Sequence, residues 1–134
     1  MQLNFYTSKH AVIEQLLSAI EGTVSSGISE KNAGVVFTVL TKFASAVRSH
    51  LASEDTYLYP DFLKSAVPAT RKTAETYRDQ MTAITQRFED FIRDFNSTNA
   101  ILTQKDAFVQ EFKALASALR TRMAKEEKEL YKLI

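Results

Sequence analysis

Apolar residues recur along this chain every three or four positions, which is the spacing of one face of an α-helix. The first stripe stops at Gly27, the second passes through Val47 and Leu58, the third begins at Pro68, and the fourth follows the polar segment 96–99. Ser, Thr and Pro stand where helices usually begin, and Gly27 stands where one usually ends. The pattern predicts four helices, over about residues 7–26, 29–65, 68–96 and 103–132.

Four long amphipathic helices with short connections fold most readily as an antiparallel bundle. We expect an all-α, up-down-up-down four-helix bundle that forms a single domain over residues 1–134. Residues 1–6 precede the first predicted helix as an arm. Its apolar residues Leu3, Phe5 and Tyr6 are expected to be exposed for self-association as a homodimer, or to cover the open end of the bundle.

The charged residues carry little net charge and form no runs. Lys and Arg number 17, Asp and Glu number 16, and the formal net charge is +1. Because basic residues alternate with acids, neither nucleic acid nor a membrane surface is an expected partner. The chain has no cysteine, which excludes disulfides and thiolate ligands. Its apolar runs are too short to span a membrane, so we expect a cytoplasmic protein, whose protein partner the sequence does not identify.

A phrase of thirteen residues occurs twice in the chain, 72 positions apart. Residues 47–59 align without gaps on residues 119–131, with five identical positions and four close substitutions. At one position the copies differ sharply, because His50 is matched by Arg122. A pseudo-twofold bundle would bring the two copies, on the second and fourth helices, to the same level of the core.

Each copy carries a nitrogen-bearing side chain four residues before an acid, which places both groups on one helical face. In the first copy these are His50 and Glu54, a pair that can bind a metal ion. In the second they are Arg122 and Glu126, and a guanidinium has no lone pair to donate. His10 lies early in the first predicted helix, and because the first two helices are expected to run antiparallel, it should fall at the level of His50. The candidate metal ligands are therefore His10, His50, Glu54 and Glu126, with Arg122 in place of a ligand.

These positions resemble the hemerythrin-like family of HHE cation-binding domains. The matching features are His10, the His-Leu-Ala-Ser-Glu-Asp-Thr-Tyr-Leu-Tyr-Pro segment over residues 50–60, and Arg122 with Glu126. The resemblance covers nearly the whole chain. It implies a four-helix bundle with a di-iron centre that binds oxygen or senses oxygen and iron.

Two departures from the family pattern leave the ligand set incomplete. The third predicted helix has no histidine, and Tyr77, Gln80 and Met81 lie where a ligand is expected. The fourth has Arg122 in place of its histidine. Two histidines and two carboxylates remain, whereas a di-iron site in a bundle needs about five to seven protein ligands. This set is sufficient for one loosely held divalent ion.

An arginine can take over the electrostatic role of a metal ion. We expect Arg122 to bridge Glu54 and Glu126 with bidentate hydrogen bonds, and to repel an incoming ion by several kcal/mol at about 4 Å. The leading hypothesis is a non-enzymatic binding or regulatory module with a degenerate metal site. It predicts no cofactor, or weakly bound iron or another divalent metal at well under one iron per chain.

Two other hypotheses remain open. The chain can be a working metalloprotein whose reduced site, formed by His10, His50, Glu54 and Glu126, serves oxygen or iron sensing. A helical interaction module unrelated to iron would be favoured if His10 and His50 lay far apart. Alternatively, Glu54 and Glu126 are exposed partners of lysines, but their place on the apolar stripe argues against this.

The tyrosines near the repeat are interpreted as packing residues. Tyr57, Tyr59 and Tyr131 are expected at the end of the bundle with their hydroxyls in water. The sequence has no Gly-rich phosphate loop, no nucleophile with a nearby base and no paired-acid pattern. We therefore predict no catalytic residue.

Overall fold

The apolar stripes of the sequence become the buried faces of long helices. The computed structural model describes residues 3–134, and this part of the chain contains no β-strand. Its helices are α1 (Leu3–Ser25), α2 (Ala33–Ser53), α3 (Tyr59–Leu63), α4 (Pro68–Asp94), α5 (Thr98–Thr103) and α6 (Lys105–Lys125). A first π-turn, Glu54–Leu58, joins α2 to α3, and a second π-turn, Glu126–Leu130, follows α6 and leads into a 3₁₀ turn, Tyr131–Leu133.

Contacts between the long helices show that neighbours run antiparallel. Lys9, near the start of α1, contacts Ser49, near the end of α2. On the other side of the bundle, Tyr77 early in α4 bonds to the Lys125 carbonyl late in α6. The all-α helical bundle predicted from the sequence is confirmed.

The start of α1 differs from the predicted start at Thr7 or the following residue. The chain is already helical at Leu3, and residues 1 and 2 of the predicted arm lie outside the described part. Tyr6 is completely buried, with its ring 5.4 Å from that of Tyr131. Burial of this ring favours a helical turn over a loose arm, and it agrees with the second alternative for Tyr6, packing over the end of the bundle. Leu3 and Phe5 are exposed, and a homodimer formed through them stays a prediction.

Hydrogen bonds in the connections explain two further differences at helix ends. Gly27 ends the first helical stretch as predicted, with φ 90°. The Asn32 side chain then bonds to the Gly27 carbonyl and to the Ser29 N–H, so α2 begins at Ala33 and not at Ser29. The polar segment before the last long helix is also more ordered than predicted, because Ser97 caps the short helix α5.

Two apolar clusters fill the bundle. The larger includes a group of phenylalanine rings from α4 and α6, namely Phe88, Phe91, Phe95, Phe108 and Phe112. The smaller surrounds the two π-turns and consists of Tyr6, Leu58, Tyr59, Phe62, Ala74, Tyr77, Leu130 and Tyr131. Among the described residues, the buried polar side chains are those of His10, His50, Glu54, Arg122 and Glu126. The residues proposed from the sequence as a site are therefore the polar residues that the fold buries.

Burial also decides between the interpretations of the acids. Glu54 and Glu126 are each only 1% exposed, so neither is a surface partner of a lysine.

Within residues 3–134, no helix is long and apolar enough to cross a membrane.

Candidate metal centre

The two copies of the repeated phrase share an irregular backbone. The π-turns Glu54–Leu58 and Glu126–Leu130 begin and end at matching positions of the repeat. In an α-helix, residues five apart point in different directions, because each residue turns about 100°. A π-turn brings them closer together, and such turns are frequent at functional sites. Here the Tyr131 hydroxyl lies 3.4 Å from Oε1 of Glu126, five residues earlier.

Three buried side chains converge between α1, α2 and the second π-turn. Nε2 of His10 lies 3.0 Å from Nε2 of His50. Oε1 of Glu126 lies 2.9 Å from the first of these nitrogens and 3.4 Å from the second. Among the described residues, these three form a group of donors that can hold one metal ion. The fold thus brings together groups that are 40 and 76 positions apart in the sequence.

Glu54 and Tyr131 complete the cluster. Oε1 of Glu54 lies 3.5 Å from Nε2 of His50, while Oε2 accepts a hydrogen bond of 2.9 Å from the Tyr131 hydroxyl. The same hydroxyl lies 3.0 Å from Nε2 of His10. The expectation that the Tyr131 hydroxyl reaches water is therefore wrong, and Tyr59 is likewise buried, whereas Tyr57 is exposed as expected. Both copies of the repeat have a tyrosine at this position, Tyr59 and Tyr131. We interpreted this identity only as packing, although it was the signal for a tyrosine in the cluster.

Glu127 is a second residue that sequence reasoning missed. Its Oε2 lies 2.9 Å from Nδ1 of His10, and its side chain is about half exposed. A carboxylate accepts and does not donate, so the His10 proton lies on Nδ1 and leaves a lone pair on Nε2 when the ring is neutral. Such a carboxylate commonly orients a metal-binding histidine from behind.

Hydrogen bonds do not satisfy every polar atom of the cluster. Nδ1 of His50 and Oε1 of Glu54 are buried without a hydrogen-bond partner. Nε2 of His10 and Nε2 of His50 lie 3.0 Å apart, so at most one of these two nitrogens can carry a proton. Buried polar atoms in this condition are costly unless something satisfies them. Nε2 of each histidine and Oε1 of Glu126 converge on one point, and imidazole and carboxylate donors are usual ligands of divalent cations, so the residues present fit a metal ion.

The pKa values in the cluster show where charge is stabilised. Burial, together with the neighbouring Glu126, raises the pKa of Glu54 to about 9. Burial also acts to raise the pKa of Glu126, but hydrogen bonds from His10 and His50 outweigh it, so this pKa is below its usual range. Burial lowers the pKa of His50. For His10, burial acts to lower the pKa, but hydrogen bonds to Glu126 and Glu127 leave it raised.

Arg122 does not bridge the two acids as predicted. Its Nε lies 3.4 Å from Oε2 of Glu126, the oxygen that faces away from the histidines. Its Nη2 donates to the Tyr77 carbonyl at 2.7 Å and to the Tyr59 hydroxyl at 3.2 Å. The guanidinium also lies over the Tyr77 ring, 4.5 Å from its centre. These partners hold it on the far side of Glu126, while Tyr131 takes the Glu54 oxygen, so the predicted bridge is wrong.

The third long helix contributes packing and a carbonyl group to this region. Tyr77 and Met81, two of the three residues at the expected ligand positions, are buried, and Gln80 is exposed. The Tyr77 hydroxyl donates a hydrogen bond to Glu129, and burial together with this bond raises the Tyr77 pKa to about 12. Among its described contacts, Tyr77 reaches Arg122 and the second π-turn.

The fold and the cluster together define a class, the helical-bundle proteins with a buried histidine and carboxylate cation site. The chain belongs to the hemerythrin family, since the hemerythrin HHE cation binding domain matches residues 2–134. No curated protein and no solved structure matches the chain significantly. His10 and His50 are in contact, whereas the hypothesis of an interaction module unrelated to iron required them to lie far apart.

Proposed function

We propose that this protein holds a single divalent cation between His10, His50 and Glu126, and that it acts as a non-enzymatic, cation-dependent module for iron or oxygen sensing. The observation that carries the proposal is the closed triangle of the three donor atoms, with sides of 3.0, 2.9 and 3.4 Å. A cation bound about 2.0–2.2 Å from its ligands keeps neighbouring ligand atoms about 3.0–3.5 Å apart. The triangle has the dimensions of one face of such a coordination shell.

The two oxygens of Glu126 support a count of one cation. Oε1 faces the histidines, while Oε2 faces the guanidinium of Arg122. Arg122 thus lies where a second cation bridged by Glu126 would lie, and its fixed charge repels such an ion. The absence of an imidazole on α4, evident from the positions of the chain's two histidines, points the same way. This differs from an oxygen-carrying di-iron centre.

The chain's own residues have distinct roles in this proposal. His10 and His50 supply neutral nitrogen ligands, and Glu126 supplies a negative charge. Glu127 keeps His10 in the tautomer whose Nε2 lone pair faces the site. A bound cation adds positive charge beside Oε1 of Glu126, while Oε2 of the same carboxylate faces Arg122. A cytoplasmic location, where exchangeable divalent metal is available to sense, is part of the proposal.

Metal titration of the chelator-treated protein tests the proposal. We expect isothermal titration with Fe²⁺ under nitrogen, and with Zn²⁺ in air, to show one ion per chain, with elemental analysis in agreement. His50→Gln and Glu126→Gln each remove a ligand and should abolish stoichiometric binding. Glu89→Gln is the matched control, because Glu89 pairs with Arg48 on the surface outside the cluster.

Two outcomes would overturn this proposal. Two ions per chain would show that Arg122 does not exclude the second cation. Binding of no ion at micromolar concentration would leave the degenerate module, in which Arg122 beside Glu126 stands for the lost metal.

A further inference from the structure

We propose that Tyr131 is a fourth ligand of this site, so that the chain binds its cation in a tetrahedral shell of two imidazole nitrogens, one carboxylate oxygen and one phenol oxygen. The inference rests on the proposed single-cation function and extends it to a residue that the sequence pattern did not include. Tyr131 is 2% exposed and lies in the 3₁₀ turn directly after the second π-turn.

The six distances among the four donor atoms carry the inference. The Tyr131 hydroxyl oxygen lies 3.0 Å from Nε2 of His10, 3.5 Å from Nε2 of His50 and 3.4 Å from Oε1 of Glu126. The three distances among those other atoms are 3.0, 2.9 and 3.4 Å. All six separations are thus similar, as they are between the corners of a tetrahedron. The centre of a regular tetrahedron with edges of about 3.2 Å lies about 2.0 Å from each corner, the usual metal–ligand distance for nitrogen and oxygen donors.

Hydrogen bonding alone does not account for this arrangement. A phenol has one proton to donate, and Tyr131 gives it to Oε2 of Glu54 at 2.9 Å. The contact of its oxygen with Oε1 of Glu126 at 3.4 Å therefore has no proton between the two atoms, because a carboxylate has none to give. A cation at the centre removes this conflict, because each of the four atoms then directs a lone pair towards it.

The phenol loses its proton when the ligand bond forms. The O–H bond of Tyr131 breaks, the proton is released to solvent because Glu54 is already neutral, and the oxygen lone pair binds the cation. No electron is gained or lost. The charges also balance, since one divalent cation meets one carboxylate and one phenolate, with Glu54 neutral and both histidines neutral.

The position of the ring is fixed independently of the hydroxyl. Its face packs against Tyr6, with ring centres 5.4 Å apart, and against His10, with centres 5.3 Å apart. Tyr59, at the matching position of the first copy, is also buried, but its hydroxyl accepts from Arg122. Tyr131 thus faces the proposed cation on one side of Glu126, and Tyr59 faces the Arg122 guanidinium on the other side. Tyr59 therefore supplies a matched control.

Ultraviolet difference spectroscopy with Zn²⁺ tests the proposal, because Zn²⁺ has no absorption of its own and a new band then reports tyrosinate. We expect one equivalent of Zn²⁺ to produce this band in the wild type and in Tyr59→Phe, and no band in Tyr131→Phe. The affinity of Tyr131→Phe should fall at least about tenfold. Tyr131→His should bind Zn²⁺ nearly as well as the wild type, without the band. Fe³⁺ should in addition give a visible phenolate charge-transfer band in the wild type, lost in Tyr131→Phe.

The possible results separate this inference from the proposed function. One Zn²⁺ bound by the wild type without a tyrosinate band would overturn the role of Tyr131 and leave the single-cation site standing. A band that persists in Tyr131→Phe would overturn it as well. No Zn²⁺ bound by the wild type would overturn both proposals. The wild-type spectrum decides the question even if Tyr131→Phe is poorly folded.

Discussion

Glu54 and Glu126 occupy matching positions of the repeat and are equally buried, yet their pKa values move in opposite directions. Burial and the charge of Glu126 raise the pKa of Glu54 to about 9. At Glu126, burial is outweighed by hydrogen bonds from both histidines and by the charges of His50 and Arg122. The partners that differ between the copies therefore assign the proton to Glu54 and the negative charge to Glu126.

The first prediction concerns the pH dependence of stability without metal. The pKa of Glu54 rises from 4.5 to about 9 on folding, so the folded state binds more protons than the unfolded state between these values. The contribution of neutral Glu54 is then complete below the unfolded pKa and is lost as the pH rises towards 9. Stability should fall with pH by up to about 1.4 kcal/mol per pH unit.

Glu54→Gln isolates this effect because glutamine stays neutral. Urea unfolding of the metal-free variant from about pH 5 to about pH 9 should lack the decline that Glu54 causes in the wild type. The remaining slope comes from His10 and the other titrating groups, which are present in both proteins. Equal slopes for the wild type and the variant would show that Glu54 is already ionised.

The second prediction concerns the free energy of unfolding of an Arg122→Met variant. This change leaves Oε2 of Glu126 and the Tyr77 carbonyl without their buried cationic partner. Removing one member of a buried charged pair costs about 3–5 kcal/mol, which urea unfolding measures. The control variant is Arg120→Met, in which the lost partners are Glu14 and Glu21 at the surface.

That control should lose only about 1 kcal/mol, since exposed ion pairs contribute little. Added Zn²⁺ should recover part of the stability of Arg122→Met, because the cation then neutralises Glu126. Equal losses in the two variants would mean that the position of Arg122 behind Glu126 has no special electrostatic role.

The third prediction concerns the carboxylate behind His10. Glu127→Gln keeps a hydrogen-bond acceptor near Nδ1 of His10 but removes its charge. Loss of such an orienting carboxylate typically weakens metal binding about 10- to 100-fold, which competition with a fluorescent Zn²⁺ chelator measures. Glu129→Gln, in the same π-turn but bonded to Tyr77, should bind as the wild type does. Unchanged affinity in Glu127→Gln would remove Glu127 from the site.

The fourth prediction separates the apolar core from the site. Phe112 is fully buried in the larger cluster, next to Phe108 and Phe91. Phe112→Leu should lower the free energy of unfolding by about 1–2 kcal/mol through lost apolar contact. Its Zn²⁺ stoichiometry should stay that of the wild type, and a lost ion would show that the ring cluster also positions the ligands.

Much of the candidate site was visible in the sequence. Antiparallel helices place an early residue of one at the level of a late residue of the next, so His10 was expected to meet His50, as it does. The four-residue spacing placed Glu54 beside His50. Two contacts were missed, those of Glu127 with His10 and of Tyr131 with Glu54, and one was wrong, the bridge from Arg122 to Glu54.

The sequence by itself determined the helices, the bundle and the level at which the repeated phrases meet. The spacing of apolar residues is a property of each segment, and it stays the same when a helix moves slightly against its neighbours. Only the tertiary structure decided which atoms face each other. The π-turns rotate Tyr131 towards Glu126, and the Tyr77 carbonyl draws the Arg122 guanidinium away from Glu54. Such choices depend on ångström-scale positions of groups from different helices, and hydrogen bonds and metal ligation lose their strength over those same distances.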